Sequence, residues 1–242
     1  MPKHKILVID DEKPTLSMFM LFLKAYGYEV LLAENGTQGL KLFEAESPAI
    51  VFTDIKMPGM DGFEVLDRIK GQSPKTEVIV ITGHGDMELA VEALNHEATD
   101  FINKPIHRSA LDAALQRAEE RIKTAKTDAS ITGNVQGNNI RTIKINGNVN
   151  AASEKELMAA YQAVDTPQHA KILLRFHDNA SINGAGIGVL IQLLSDSIKK
   201  QHKVAITGVS ENFEQIFKMV GITRLVNIFP GEKEAIAYLD AE

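Results

Sequence analysis

Residues 50–66 read IVFTDIKMPGMDGFEVL. The run Ile50–Thr53 is apolar or β-branched throughout and reads as a buried strand, Asp54 stands directly after it, and a helical pattern resumes over Phe63–Lys70. The same alternation extends in both directions. Strand-like runs are Ile6–Ile9, Val30–Leu32, Val78–Ile81 and Phe101–Ile102, and helical stretches are Thr15–Tyr26, Thr37–Glu44, Met87–Asn95 and Ser109–Ile122. In the last of these, Leu111, Leu115, Ala118 and Ile122 fall on one helical face. Five such βα units with near-continuous apolar strands imply an α/β domain over 1–123, a doubly wound five-stranded parallel sheet covered on both faces.

The chain has 242 residues, 44% hydrophobic and 24% charged. That length suits two domains, each large enough for its own core, and the composition excludes disorder as the main state. The formal charge of −6 lies entirely in residues 1–123, which carry 14 Lys+Arg against 20 Asp+Glu, whereas residues 124–242 carry 12 of each. Neither half has the basic excess that nucleic-acid binding requires, so no nucleic acid is expected as a partner. There is no cysteine, which removes disulfides, thiolate metal sites and cysteine nucleophiles. No apolar run reaches the ~18–20 residues of a membrane span, and MPKHKILVID at the start is too short for a secretory h-region. The expectation is a cytoplasmic protein without membrane insertion. The seven histidines (His4, His84, His96, His107, His169, His177, His202) show no metal-ligand spacing.

In an open α/β sheet, function collects at the carboxyl ends of the strands. Those ends carry Asp10 and Asp11 after the first strand, Asp54 after the third, Thr82 after the fourth, and Lys104 with Pro105 after the fifth. Topology alone therefore gathers three carboxylates, a hydroxyl and an ammonium. Crowded carboxylates repel one another unless a cation neutralises them, and oxygen ligands of this kind suit Mg²⁺. Ionised Asp54 is placed to attack a phosphoryl phosphorus, with Mg²⁺ and Lys104 stabilising the transferring oxygens. The Thr82 hydroxyl is then placed to bond the new phosphate, with Phe101 turning into the space it vacates.

The segments ILVIDDEKPT (6–15), IVFTDIKMPGMDGFEVL (50–66), VIVITGHGDMELAVEAL (78–94) and DFINKPI (100–106) resemble, in order and spacing, the motifs of the response-regulator receiver domain of two-component signalling. The resemblance implies Asp54 as phosphoacceptor and Asp10, Asp11 and Asp54, with the Lys56 backbone carbonyl, as the Mg²⁺ site. It implies Thr82 and Phe101 as the switch pair, Lys104 as the phosphate partner with a cis bond before Pro105, and a sensor histidine kinase as phosphodonor. Phosphate lifetime in the family depends in part on the positions of Lys56 and His84. Tyrosine is frequent where Phe101 stands; phenylalanine keeps the packing role without the hydroxyl.

The remainder divides into a polar linker over 124–130 and a second α/β domain with a mixed sheet over 131–242. Its strands are expected at Ile140–Ile145, Lys171–Phe176, Val204–Ile206 and Val226–Phe229, and a long helix has Ile187, Leu190, Ile191, Leu194 and Ile198 on one side. Helices are also expected around Leu157–Val164, at Phe213–Met219 and at Lys233–Leu239. His177, Asp178 and Ser181 lie within five positions and without a nucleophile elbow, so they make no hydrolase. In SINGAGIGVLIQLL (181–194), Ile191 stands where a phosphate-binding GxGxxG would need its last glycine, and tight packing of a helix start is the better reading.

TIKINGNVN (142–150), AKILLRFHDNASINGAGIGVLIQLL (170–194) and KVAITGVS (203–210) followed by FEQIFKMVGITRLVNIF (213–229) resemble a STAS domain, the anti-sigma-factor-antagonist fold of partner-switching systems. The family's phosphorylated loop precedes the long helix, and its positions fall here on Asn183, Gly184, Ala185 and Gly186. Ala185 has no hydroxyl, so the resemblance implies that the serine switch is lost; Ser181 is a nearby alternative acceptor. The expected partner-binding face is Asn183, Gly184, Ala185, Gly186, Ile187 and Gly188, with an anti-sigma-factor-like kinase or another partner-switching protein as partner.

These readings combine into a regulator, not an enzyme, in which phosphorylation of Asp54 controls the STAS face, either by releasing an intramolecular dock or through a receiver homodimer. The alternatives are a small-molecule sensor in the STAS half, with room beside Ala185, and a phosphate sink whose second half is a scaffold.

Overall fold

A computed structural model describes residues 4–83, 86–124, 131–135, 140–150, 153–164, 170–177 and 180–241. The chain divides into two units between residues 125 and 126. His84, His169, Asp178 and, past Thr124, the linker reading lie outside the described residues.

In the first unit strands and helices alternate: β1 (Lys5–Ile9), α1 (Lys13–Ala25), β2 (Glu29–Ala33), α2 (Gly36–Glu46), β3 (Ile50–Asp54), α3 (Gly62–Gln72), β4 (Glu77–Thr82), α4 (Met87–Asn95), β5 (Asp100–Asn103) and α5 (Arg108–Thr124). All strand pairs are parallel and the sheet order is β2-β1-β3-β4-β5. The expected doubly wound sheet is present. Its three central strands are buried along nearly their whole length, which is why they carry no polar alternation. One face packs Phe19 against Phe52 with ring centroids 5.1 Å apart, beneath Leu111 and Ala118 of α5. The chain order reverses between β1 and β3, and this places the crevice between their carboxyl ends, where Asp10 and Asp54 stand.

The second unit comprises β6 (Ile131–Val135), β7 (Ile140–Ile145), β8 (Asn148–Val149), α6 (Glu154–Val164), β9 (Lys171–Phe176), β10 (Ser181–Ile182), α7 (Gly184–Lys199), β11 (Lys203–Thr207), α8 (Glu211–Met219), a 3-10 turn (Ile222–Arg224), β12 (Asn227–Phe229) and α9 (Glu232–Asp240). The main sheet runs β12-β11-β9-β7-β6, with β6 antiparallel to β7 and the other pairs parallel. This is the expected mixed sheet. The sequence reading misses a second ribbon, β8 paired in parallel with β10 through Ser181↔Asn148 and Ile182↔Val149. Two-residue strands carry no periodicity to detect.

That ribbon fixes the start of α7. Asn183 Oδ1 accepts from the Gly186 backbone N–H at 2.9 Å and caps the helix. A Cβ at Gly186 would collide with the Val149 carbonyl, whereas one at Gly188 meets nothing within 4 Å. Gly186 is therefore a packing glycine, as its sequence context suggested. Gly186→Ala is expected to destabilise the second unit by about 1–3 kcal/mol. Gly188→Ala should instead raise stability by up to about 1 kcal/mol through helix propensity. Urea denaturation of the two variants beside the parent chain checks both signs.

Candidate functional site

Each carboxylate of the first unit reaches its place for a local reason. Asp10 and Asp11 follow β1, and Asp10 Oδ1 accepts from the Glu12 backbone N–H at 2.8 Å, which turns the chain into α1. Asp54 ends β3. The loop after it returns so closely that a Cβ at Gly62 would strike the Asp54 carbonyl, and Asp61 caps α3 by accepting from the Glu64 N–H at 2.9 Å. Lys104 follows β5 and is joined to Pro105 by a cis peptide; its backbone N–H donates to the Thr82 carbonyl at 2.7 Å.

These pieces meet at one ammonium. Lys104 Nζ lies 3.1 Å from Asp54 Oδ1, 3.2 Å from Asp10 Oδ2 and 2.8 Å from Glu12 Oε2. Asp10 is fully buried and Asp54 4% exposed. Asp11 is exposed and close enough for its charge to act on Asp54. Burial pushes the Asp54 carboxyl up from 3.8 to about 6, Lys104 opposes this, and Asp10 and Asp11 add to it. Burial also raises Asp10, against the opposing Glu12 N–H and Lys104. For Lys104 itself burial works toward a lower value, but Glu12, Asp54 and Asp10 outweigh it and hold the ammonium charged.

The opposite end of the same sheet sets the contrast. Asp100 and Glu77, also buried, begin β5 and β4, and α5 supplies each with an arginine: Arg117 Nε is 2.6 Å from Asp100 and Arg121 Nε 2.8 Å from Glu77. At the carboxyl ends several acids share one lysine. Structural ion pairs are matched; this pocket keeps an excess of negative charge.

The donor set fits a hard divalent cation. Asp10 Oδ2 is buried and, although Lys104 stands 3.2 Å away, it receives no aligned hydrogen bond. Together with the oxygens of Asp54 and Asp11 it offers the ligands Mg²⁺ prefers. Among the described residues no three acidic or histidine side chains are already gathered at metal-ligating spacing, and the Lys104 ammonium stands between Asp10 and Asp54. Lys56, two residues past Asp54, is exposed and pairs with Asp86 at 2.7 Å, tying the loop after β3 to the start of α4.

The expected switch pair, Thr82 and Phe101, is seen here in one state. Thr82 is buried, and its hydroxyl donates to Asn103 Oδ1 at 2.7 Å. Phe101, expected to turn inward when Thr82 moves, is already fully buried. A phenyl ring has no hydroxyl to keep wet and so settles in the core. Three residues of this site escaped the sequence reading: Glu12, Asp86 and Asn103. Asn103 was accessible in principle, because in-register pairing of β4 with β5 sets it opposite Thr82.

In the second unit, Ala185 and Gly188 are exposed, Asn183 and Gly184 half-buried, and Gly186 and Ile187 buried. Ile187, expected on the partner-binding face, belongs instead to the core with Leu190 and Leu194. Its place on the apolar stripe of α7 decides this. Ser181 is buried in β10, where a modifying enzyme would have to open the ribbon to reach it. Beside β10, the strand that precedes α7, the structure has a narrow gap, and none of residues 183–188 lines it. That gap, lined by Phe176, Ser181, Gly208 and Phe213, holds about 10 Å³, less than a small molecule needs. A cavity of about 470 Å³ lies at the other end of α7, among Leu194, Ile198, Lys203, Arg224 and Leu225. No helix among the described residues is long and apolar enough to cross a membrane.

Comparison with known proteins gives matches for both units. The response regulator receiver domain model matches residues 6–116, and the STAS domain model matches residues 133–235. The transcriptional regulatory protein FixJ of Rhizobium meliloti is 30% identical over 136 residues, covering 56% of this chain and 67% of FixJ. The nitrogen assimilation regulatory protein NtrX of Azorhizobium caulinodans is 36% identical over 122 residues, covering 50% of this chain and 27% of NtrX. A response regulator receiver domain structure from Clostridium thermocellum is 37% identical with a TM-score of 0.47, covering 51% of this chain and 98% of that one. The chain spans 65% of the length of FixJ from Bradyrhizobium diazoefficiens and smaller shares of the NtrX relatives.

The Asp54 carboxyl predicts a pH signature. Its folded value of about 6 lies above the ordinary 3.8, so the folded state binds the extra proton between those values. Its contribution to stability is present below about pH 4 and is lost as pH rises through 6. Asp54→Asn removes that penalty. In metal-free buffer the variant should match the parent near pH 4 and exceed it by about 1–3 kcal/mol at pH 7.5; thermal unfolding at both pH values checks this.

Proposed function

The chain belongs to the response-regulator family, with a receiver domain at residues 6–116 and a STAS domain at residues 133–235, and from that premise we propose that a phosphoryl group on Asp54 controls a protein–protein contact of the STAS domain. The observation that carries this reading is the buried acidic pocket in which Asp10, Glu12 and Asp54 share the Lys104 ammonium.

A sensor histidine kinase supplies the phosphoryl group. An Asp54 oxygen forms the new O–P bond as the N–P bond of the kinase phosphohistidine breaks, and the imidazole leaves with the electron pair and takes up a proton. At pH 7 most Asp54 is ionised and able to attack, given its value of about 6. Asp10, Asp11 and Asp54, with the Lys56 backbone carbonyl, would hold Mg²⁺, which when bound supplies positive charge against the incoming phosphoryl oxygens. Lys104 pairs with a phosphoryl oxygen, and the Thr82 hydroxyl donates to another. This is phosphoacceptor chemistry by a binding protein, without turnover of a separate substrate.

On the STAS side, Ala185 stands exposed at the start of α7 with no hydroxyl to modify. Where a phosphate would add roughly −1.5 to −2 charges to a binding face, this chain has no acceptor at that position. Control therefore passes to Asp54. The partner is an anti-sigma-factor-like kinase or another partner-switching protein, and coupling runs through release of an intramolecular dock or through a receiver homodimer. The cavity of about 470 Å³ at the far end of α7 favours a second reading, a small-molecule sensor in the STAS domain. Retention of a ligand in native mass spectrometry would support that reading.

Co-purification of the full chain with its partner, with and without Mg²⁺ and beryllofluoride, tests the coupling. The expected result is a several-fold change in capture, absent in Asp54→Asn. Equal capture in both states removes the coupling, and rapid phosphate loss with no captured partner favours a phosphate sink. Ala185→Asp should weaken capture by about tenfold or more, because it places a charge on the face; the readout is the partner dissociation constant.

A further inference from the structure

Thr82 ends β4, and its hydroxyl has a single proton to give. β4 lies between β3 and β5, so the residue has a polar neighbour on each side. Toward β3 stands Asp54, whose register partner is Ile81, one residue before Thr82; toward β5 stands Asn103, the register partner of Thr82 itself. In this structure the proton goes to the Asn103 side-chain oxygen at 2.7 Å. Asn103 shares a strand face with Phe101, two residues earlier, and that ring is already fully buried. With the ring inside, the Thr82 hydroxyl is what is left to change partner.

We propose that Asn103 is a positioning residue that latches the Thr82 hydroxyl away from the phosphoacceptor and thereby sets how readily the phosphorylated state forms. This inference rests on the reading of Asp54 as phosphoacceptor. A hydroxyl with one proton cannot donate to Asn103 and to a phosphoryl oxygen at once, so each phosphorylation displaces the amide oxygen. The exchange proceeds because a bond to a charged phosphoryl oxygen is stronger than one to a neutral amide. The latch costs part of that gain. A net neutral hydrogen bond shifts such a balance about 3- to 10-fold.

The test uses the full chain with Mg²⁺ and beryllofluoride as the phosphoryl analogue, followed by ¹⁹F NMR of the bound fluoride and ¹³C NMR of the Thr82 methyl group. Asn103→Leu, and Asn103→Ala as a second variant, should bind the analogue about 3- to 10-fold more tightly than the parent. In a Thr82→Val background the same substitutions should change nothing, a result that a general structural role for Asn103 would not produce. Without the analogue, the Thr82 methyl couplings should report one rotamer in the parent and averaging in Asn103→Leu. Parent-like affinity of both variants, or an equal gain in the Thr82→Val background, overturns the latch while leaving the Asp54 reading intact. Failure of the parent to take up beryllofluoride overturns both.

Discussion

One ammonium faces more negative charge than it can neutralise. Lys104 lies within 3.2 Å of Asp10, Asp54 and Glu12, with Asp11 near enough to act on Asp54. Two of these acids are buried, so the imbalance is not screened by water as an exposed cluster would be. The sheet supplies the cause. Parallel strands bring the ends of β1, β3 and β5 into one crevice, and nothing in the packing of the hydrophobic faces requires acids there. The arginine-matched acids at the opposite end show what the same fold does when a buried carboxylate serves structure alone. An unbalanced pocket gains from any added cation.

Much of this was legible in the sequence, because parallel α/β folds print their topology as alternating periodicities. The expected strands of the first unit fall within a residue or so of those observed, and Asp10, Asp54, Thr82 and Lys104 are placed by strand ends alone. What escaped was partner choice. Nothing in the one-dimensional pattern says that Glu12, an exposed residue at the start of a helix, would reach Lys104, or that the Thr82 proton would go to Asn103 rather than remain directed toward Asp54. Such choices depend on side-chain rotamers and on strand register, which a single chain does not display. Phe101 is simpler: its burial follows from an apolar ring on a central stretch of β5.

The second unit was legible in outline and less so at its face. The stripe that made α7 recognisable as a helix also contains Ile187, so the pattern that revealed the element was the one that removed this residue from the surface. The β8–β10 ribbon was invisible because it is two residues wide, yet it buries Ser181 and positions the cap at Asn183. The accessible residue at this helix start is Ala185, which carries no group that a kinase could modify.

Intact-mass measurement of the full chain, incubated with Mg²⁺ and a small phosphodonor such as phosphoramidate, addresses the acidic pocket most directly. The account predicts one added phosphoryl group, acid-stable and base-labile as an acyl phosphate is, mapped to Asp54 and not formed when Mg²⁺ is left out. A phosphoryl group carried by another residue, or an Asp54→Asn chain labelled as well as the parent, would contradict it.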